Sequence, residues 1–222
     1  MSTFTRSKFA HEETISFDSG RGKIGFFTPN SPYFGIQETP HDNLWSDGTP
    51  SFLPPISHYH LLQQETFYVA QGSGEWTLNG TKTRLSKGDS ITIPAMAPHR
   101  FESIPNAAQE PLVVWHKYDP QRWEMEERFS RNTACYMWDC HRAGVEPSLF
   151  QLCVFAANAW VVAEVFRFPF RFLGDVYVEV LVNSILTWIM AAIGLLLGYK
   201  KSYIEYYDPV WSARRNGERK DK

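Results

Sequence analysis

Two short blocks of sequence constrain the fold of this chain more than any other feature. The first block, residues 57–72, contains His58 and His60 two positions apart and then Glu65. The second block, residues 88–103, contains His99. Imidazole nitrogens and a carboxylate suit a mononuclear divalent metal ion. A fold that returns His99 to the first block would therefore build a metal centre from these four side chains.

The residues within and between these blocks predict antiparallel strands. His58 and His60 would lie on one face of a strand because side chains alternate across a sheet. Asn79-Gly80 is typical of a two-residue hairpin turn, and Lys87-Gly88-Asp89 indicates a further turn. Strands connected in this way close into a small barrel or double-sheet roll. Strands are predicted at residues 14–18, 23–28, 33–37, 66–70, 75–78, 81–85, 90–94, 99–103 and 112–116.

The two blocks resemble the two sequence motifs of the cupin superfamily. The first motif is matched by His58, His60, Glu65 and Gly72, and the second by Gly88, Pro94 and His99. The resemblance covers roughly residues 20–118 and implies a jelly-roll barrel whose lumen holds a metal at the three histidines and Glu65. Three positions depart from the pattern, because Phe52 and Met96 replace glycines and Ser103 replaces an asparagine. None of the three is a ligand, so we expect altered turns rather than altered metal binding.

The predicted fold is mainly β, a cupin-type jelly-roll β-barrel followed by a C-terminal α-helical extension. We expect a flexible arm at residues 1–12, the barrel at 13–119, and the helical extension at 120–176. A hydrophobic helix with a basic tail is expected at 177–222. The extension would contain helices at 121–142 and 149–163, then a boundary segment at 166–172. The proline-rich loop 38–56 is either a lid over the barrel mouth or a surface connection.

Residues 180–199 form an uncharged stretch that is followed at once by Lys200 and Lys201. Twenty helical residues are long enough to cross the hydrocarbon core of a bilayer. However, Asn183, Ser184 and Thr187 give the same helix a polar face, which favours packing on protein. The alternatives are therefore membrane attachment, as a span, a hairpin with 149–163 or an in-plane anchor, and packing on the barrel or across a homodimer interface.

Composition excludes several classes of protein. The net charge of −2 leaves no basic footprint for nucleic acid. Cys135, Cys140 and Cys153 are an odd number without a C-x-x-C pair, which indicates reduced thiols in an intracellular protein. The polar N-terminus predicts no secretory signal peptide. We expect an intracellular protein, membrane-associated if residues 180–199 are an anchor.

The resemblance implies a metal-dependent enzyme that acts on a small organic substrate. The expected cofactor is a divalent metal ion, iron first, with manganese, nickel, copper and zinc as alternatives. Three histidines and Glu65 leave about two positions open on an octahedral ion, enough for substrate and dioxygen side by side. Glu65 would tune the charge of the ion or act as the catalytic base.

Three further residues are predicted to line the substrate pocket. Phe67 and Phe101 lie two residues from Glu65 and His99, so they share the inward face and form an aromatic wall. His116 either lines the lumen as an acid/base group or simply ends its strand. The wall favours a hydrophobic or aromatic substrate. The chain also resembles the short cupin oxidoreductases of fungal polyketide pathways in secondary metabolism, and a dioxygenase is the expected type of oxidoreductase. The alternatives are non-redox isomerisation, cyclisation or decarboxylation, and a non-catalytic ligand-binding cupin.

Overall fold

The computed structural model describes residues 4–106, 108–167 and 175–217, in which two antiparallel sheets face each other. The six-stranded sheet has the order β1-β2-β3-β10-β5-β8, and the five-stranded sheet has the order β11-β4-β9-β6-β7. The mainly β barrel with C-terminal helices that the sequence predicts is confirmed. The strands are β1 (Thr14–Phe17), β2 (Gly22–Phe26), β3 (Gly35–Thr39), β4 (His58–His60), β5 (Gln64–Gln71), β6 (Ser73–Leu78), β7 (Thr81–Ser86), β8 (Ser90–Ile93), β9 (His99–Ser103), β10 (Leu112–Asp119) and β11 (Val161–Ala163).

Side-chain alternation builds the barrel interior. Along β5, Glu65, Phe67 and Val69 point inward and are buried. The hairpin between β6 and β7 turns at Asn79 and Gly80, whose φ angles of 51° and 83° both lie in the left-handed region. Positive φ at both central residues is what a type I′ turn requires, and asparagine and glycine tolerate it best.

Helices α1 (Trp123–Ala143), α2 (Leu149–Ala157), α3 (Asp175–Leu196) and α4 (Pro209–Arg215) follow the barrel. Helix α1 ends at Gly144, which adopts the left-handed conformation with φ of 62°. A second hydrophobic core lies between this helix and the first strands, and it includes Phe17, Phe34, Tyr136 and Tyr206. The helices therefore share a core with the barrel.

The single apolar helix predicted for residues 149–163 is wrong in its second half. Helix α2 stops at Ala157, and Trp160 turns the chain with a φ of 54°. Residues Val161–Ala163 then form β11, which pairs antiparallel with β4 and sets Val161 opposite His60. β-Branched valines suit an extended backbone, and the free edge of β4 supplies the hydrogen-bond partners. The predicted extension thus contributes a strand to the barrel.

The N-terminal segment is not a flexible arm over residues 4–12. The backbone amides of Phe9 and Ala10 donate to the carbonyl of Glu205 at 2.9 and 3.0 Å. The guanidinium of Arg131 donates to the carbonyls of Phe9 and Glu12 at 3.0 and 2.6 Å. Phe4 and Phe9 also pack against the second core. Residues 1–3 lie outside the described part of the chain.

The loop at residues 38–56 is held against the body of the protein. Trp45 is 2% exposed and packs on Phe52 and Trp138 with ring-centroid distances of 5.1 and 5.7 Å. The Asn43 side chain forms two hydrogen bonds with the backbone of Ser103, at 2.9 and 2.8 Å. These contacts favour a fixed connection over a movable lid, and they give Phe52, one of the three departures from the cupin pattern, a structural role.

Helix α3 contains most of the uncharged stretch 180–199 and ends before Gly198, whose φ is 86°. Asn183 accepts hydrogen bonds from the amides of Val165 and Phe166 at 3.1 and 2.8 Å, and it donates to the hydroxyl of Tyr59 at 3.3 Å. By length and composition alone Val176–Leu196 could cross a membrane, but its polar face is attached to the barrel. Of the predicted boundary and basic tail, residues 168–172 and 218–222 lie outside the described residues.

Candidate metal centre

The four predicted ligands come from both sheets and meet inside the barrel. His58 and His60 lie on β4, and His99 begins β9 directly opposite His58 in the register of the five-stranded sheet. Glu65 lies on β5 of the six-stranded sheet. One ligand atom from each of the four lies within 4.8 Å of the other three. The two facing sheets therefore converge on one point that can hold a single ion.

Hydrogen bonds orient two of the imidazoles toward this point. The Nδ1 atom of His58 donates to the carbonyl of Ile56 at 2.9 Å, and that of His99 donates to the carbonyl of Ala97 at 3.0 Å. Since a carbonyl only accepts, each Nδ1 holds the proton and each Nε2 presents its lone pair to the cluster. Nε2 of His99 lies 3.0 Å and Nε2 of His60 lies 3.2 Å from Oε2 of Glu65.

The electrostatics of the cluster fit a divalent cation. Burial, together with His99 and His60, holds the pKa of His58 well below its usual range, so its imidazole stays neutral. Burial alone would raise the pKa of Glu65, but His60 and His99 outweigh it and hold that pKa well below its usual range. Neutral imidazole and ionised carboxylate are the protonation states that coordinate a metal.

One side of the centre is more accessible than the other. His60, Glu65 and His99 are at most 7% exposed, whereas His58 is half-buried. The turn before β9 contains Met96, which has a φ of 62° and donates its amide to the carbonyl of His60 at 2.9 Å. A left-handed φ favours glycine, which explains the usual residue at this position of the cupin pattern. Met96 accepts this backbone conformation while the turn still ends at His99.

Tyr118 is a residue of the site that the sequence did not predict. It pairs directly with Glu65 across β10 and β5, so the two side chains lie beside each other on the same face of the sheet. Its ring centroid lies 5.2 Å from that of His60. Burial, followed by the charges of Glu65 and Glu126, raises the pKa of Tyr118 well above its usual range, so the hydroxyl keeps its proton. The predicted strand ended at His116; one more step of the two-residue alternation would have found Tyr118.

The three predicted pocket residues occupy two environments. Phe67 and Phe101 are 4% and 3% exposed and contact each other with a centroid distance of 5.1 Å. They pack with Trp76 in the barrel core. His116 is half-buried between Phe34 and Tyr118, at 5.5 and 5.7 Å. Burial lowers its pKa, so its imidazole is neutral. Of the three, His116 is the one that is only half-buried.

Comparisons with known proteins agree with this architecture. A model of the family described as Cupin domain matches residues 50–116, a range that contains all four ligands and His116. The chain is 38% identical over 159 residues to the protein named Probable oxidoreductase virH of Hypocrea virens, which covers 69% of this chain and 68% of that protein. The chain belongs to the cupin superfamily. The stretch that this cupin shares with virH is longer than the domain match, so the similarity extends beyond the barrel motifs.

Two further relatives of this cupin differ in how much they share. Oxidoreductase iacF of Pestalotiopsis fici is 32% identical over 140 residues, which are 61% of this chain and 66% of that protein. An uncharacterised protein of Methanocaldococcus jannaschii, MJ1618, is 32% identical over 95 residues, which are 43% of this chain and 71% of that protein. The shorter match has no named activity, and the two longer ones carry the name oxidoreductase.

Proposed function

We propose that this cupin is a metal-dependent oxidoreductase, of the dioxygenase type, that acts on a small hydrophobic or aromatic metabolite. The observation that carries the proposal is the convergence of three imidazoles and one carboxylate on a single point, with their ligand atoms within 4.8 Å of one another. The names of virH and iacF support the reaction class. The substrate class rests on the aromatic surroundings of the centre.

His58, His60, His99 and Glu65 would hold the ion. A divalent iron, or manganese, nickel, copper or zinc, supplies Lewis-acid or redox chemistry to a substrate oxygen when it is bound there. Glu65 accepts a proton from the substrate hydroxyl as it approaches, because a carboxylate within hydrogen-bond reach of the reacting group is a competent base. Tyr118, beside Glu65 on the paired strand, would hold that carboxylate in place by donating a hydrogen bond to it. His116 offers a neutral ring nitrogen to a polar group of the substrate.

The chemistry around the cluster favours an apolar, planar substrate over a phosphorylated one. Phe34 and Tyr118 flank His116, and Tyr118 contacts the ring of His60. Among the described residues, no lysine or arginine forms an ion pair or hydrogen bond with the four ligands. A phosphate would need such a cation, whereas aromatic faces bind a ring by stacking and exclude water from it.

Metal analysis combined with oxygen uptake tests the proposal. Wild-type protein reconstituted with each candidate metal should bind close to one equivalent, and His99→Ala should lose most of it while His11→Ala, which changes an exposed histidine, does not. The metal assignment fails if reconstituted wild type binds less than about a tenth of an equivalent. Oxygen consumption with phenolic, polyketide-like compounds supports the redox assignment. Turnover without oxygen consumption would instead identify an isomerase, cyclase or decarboxylase.

Glu65→Gln separates the two roles of the carboxylate. The substitution keeps the size of the side chain and removes its charge, so we expect weaker metal binding. Turnover at saturating metal should fall further than affinity, because the amide is a poor base. Unchanged turnover in the metal-saturated variant would exclude Glu65 as the base.

A further inference from the structure

Helix α3 presents its apolar side to the outside and its polar side to the protein. Glu179, Asn183, Ser184 and Thr187 are at most 4% exposed. The opposite face carries large apolar side chains that are 38% to 89% exposed over residues 177–197. An ordinary surface helix has the reverse arrangement, with its apolar stripe toward the core. The outer face of α3 therefore lacks the solvent-compatible side chains of a free surface.

The exposed face follows the spacing of a helix–helix seam. Its central stripe alternates steps of three and four residues, and every position on it is exposed. The stripe consists of Val178, Leu181, Ile185, Trp188, Ala192 and Leu195. A hydrophobic repeat that averages 3.5 residues keeps one side of a helix facing a partner helix over its whole length. A second helix laid along this stripe would contact every position on it.

The area of this face is large enough for a stable interface. Eleven large apolar side chains between Tyr177 and Leu197 are exposed. A fully exposed side chain of this size presents about 200 Å², so at their observed exposures the eleven side chains together leave on the order of 1,000 Å² of apolar surface. Each partner in a standard interface buries about 800 Å². The largest apolar patch on a typical monomer is about 300–600 Å². The face thus exceeds what a monomer ordinarily exposes.

We propose that α3 is a self-complementary dimer interface, in which it packs antiparallel against α3 of a second copy. The two-fold axis passes between Ile185 and Trp188, the centre of the seam. The antiparallel arrangement places the end of α3 that begins at Asp175 beside the end that leads into Lys200 and Lys201 of the other copy. No charged residue lies between Val180 and Tyr199 to oppose burial. Trp160, in edge-to-face contact with Trp188 at 5.8 Å, extends the same surface.

A bilayer is the competing occupant, and the structure favours it less. Spanning the membrane would require α3 to leave the barrel, yet Asn183 bonds it to residues 165 and 166 and to Tyr59 on β4. Gly194 also brings it close to α2, because a Cβ there would lie 2.8 Å from the Val154 side chain. A bilayer that only touched the outer face would leave these contacts intact, and the detergent and vesicle measurements below distinguish it from a second copy. The area of the face, which reaches what one partner buries in a standard interface, favours a second copy of this chain.

Sedimentation of the full-length protein without detergent tests the proposal. Wild type should have twice the chain mass of 25.6 kDa. Ile185→Glu places two carboxylates near the two-fold axis and should weaken dimerisation at least tenfold. Ile204→Glu makes the same exchange at a residue outside α3 that is 63% exposed, and it should remain dimeric. A monomeric wild type, or a dimeric Ile185→Glu, overturns the proposal. So does a wild type that needs detergent or floats with phospholipid vesicles, an outcome that would identify the membrane.

A charge-pair experiment keeps the test valid if the single variant loses structure. Ile185→Lys should also be monomeric, and mixing it with Ile185→Glu should restore a dimer that contains one copy of each. Circular dichroism of each variant reports whether the helices persist. If either variant is unfolded, Ile185→Ala replaces it, and dimerisation should weaken several-fold while the helix is retained. Mixed variants that stay monomeric, or an alanine variant that dimerises as tightly as wild type, contradict the seam.

Discussion

Tyr118 is the residue whose role depends most on its neighbours. The Oε2 atom of Glu65 lies 3.2 and 3.0 Å from the Nε2 atoms of His60 and His99, and Tyr118 lies directly beside Glu65 on the paired strand. A side chain that hydrogen-bonds a metal ligand orients that ligand before the metal arrives and contributes substantially to metal affinity. We expect the Tyr118 hydroxyl to act in this way on Glu65. Because Tyr118 directly faces Glu65 across two paired strands, the barrel backbone itself fixes their separation.

Tyr118→Phe should lower metal affinity about tenfold while leaving the barrel folded. The substitution removes the hydroxyl and keeps the ring that contacts His60. Isothermal titration with a divalent metal measures the change, and the unfolding temperature reports on the fold. Tyr68→Phe is the matched control, since Tyr68 lies on the outward face of β5. Equal affinities for wild type and Tyr118→Phe would show that the hydroxyl does not position Glu65.

At the scale of the elements, the start of helix α1 is joined to the barrel by one carboxyl group. Glu126 accepts hydrogen bonds from the side chains of Gln63 and Gln121 and from the amide of Arg122. Gln63 precedes β5, so this network connects the helix to the strand that carries Glu65. Despite these donors, burial raises the pKa of Glu126 to about 7. The folded protein therefore favours the protonated carboxyl relative to the unfolded chain, whose glutamates titrate near their ordinary value.

Glu126→Gln should change how stability depends on pH. The pKa of Glu126 is higher in the folded protein than in the unfolded chain, so the group does not lower the free energy of unfolding at low pH, where it is protonated in both states. The destabilisation by Glu126 grows as pH rises from about 4.5 and reaches its full size above about 7. From pH 5 to pH 8 the variant should gain up to about 3 kcal/mol of unfolding free energy relative to wild type. Urea unfolding at the two pH values measures this, with Glu124→Gln on the exposed face of the same helix turn as control. A difference between wild type and variant that is the same at both pH values would contradict the assignment.

Across the whole molecule, the N-terminal and C-terminal segments meet on helix α1. The buried pair Glu127 and Arg131 lies at this junction. Arg131 binds the carbonyls of Phe9 and Glu12, and Glu127 accepts from Ser212 and Arg215 in α4. Tyr206 is fully buried and donates to Asp139 on the same helix. The C-terminal part is thus core rather than appendage.

Removing residues 174–222 should therefore prevent normal folding. The deletion takes away α3, α4 and the buried tyrosines, and it leaves Glu127 and Arg131 with uncompensated polar contacts, which is strongly destabilising. We expect a truncated protein that aggregates or lacks a cooperative unfolding transition by calorimetry. A removable membrane anchor predicts the opposite, a soluble truncated barrel that still binds one equivalent of metal. That result would show the C-terminal helices to be dispensable for the fold.

The sequence alone determined the features that depend on short-range rules. Strand alternation placed His58 and His60 on one face, Asn79-Gly80 predicted the hairpin, and the two motif blocks predicted the barrel that brings His99 to Glu65. These inferences succeed because each rests on neighbours a few residues apart, where backbone geometry leaves few choices. The polar face of α3 was visible for the same reason, since helical periodicity is local.

Tertiary structure decided everything that depends on a partner distant in sequence. The same apolar run 149–163 could form a helix or a strand, and the free edge of β4 made its last part β11. The N-terminal segment reads as a loose polar arm until Arg131 and Glu205 supply partners for its backbone. Tyr118 became part of the site because β10 pairs with β5, and α3 was left with its apolar side outward because Asn183 found its hydrogen bonds on the barrel. In each case the deciding term is the satisfaction of buried polar groups and apolar surface by residues that only the fold brings together.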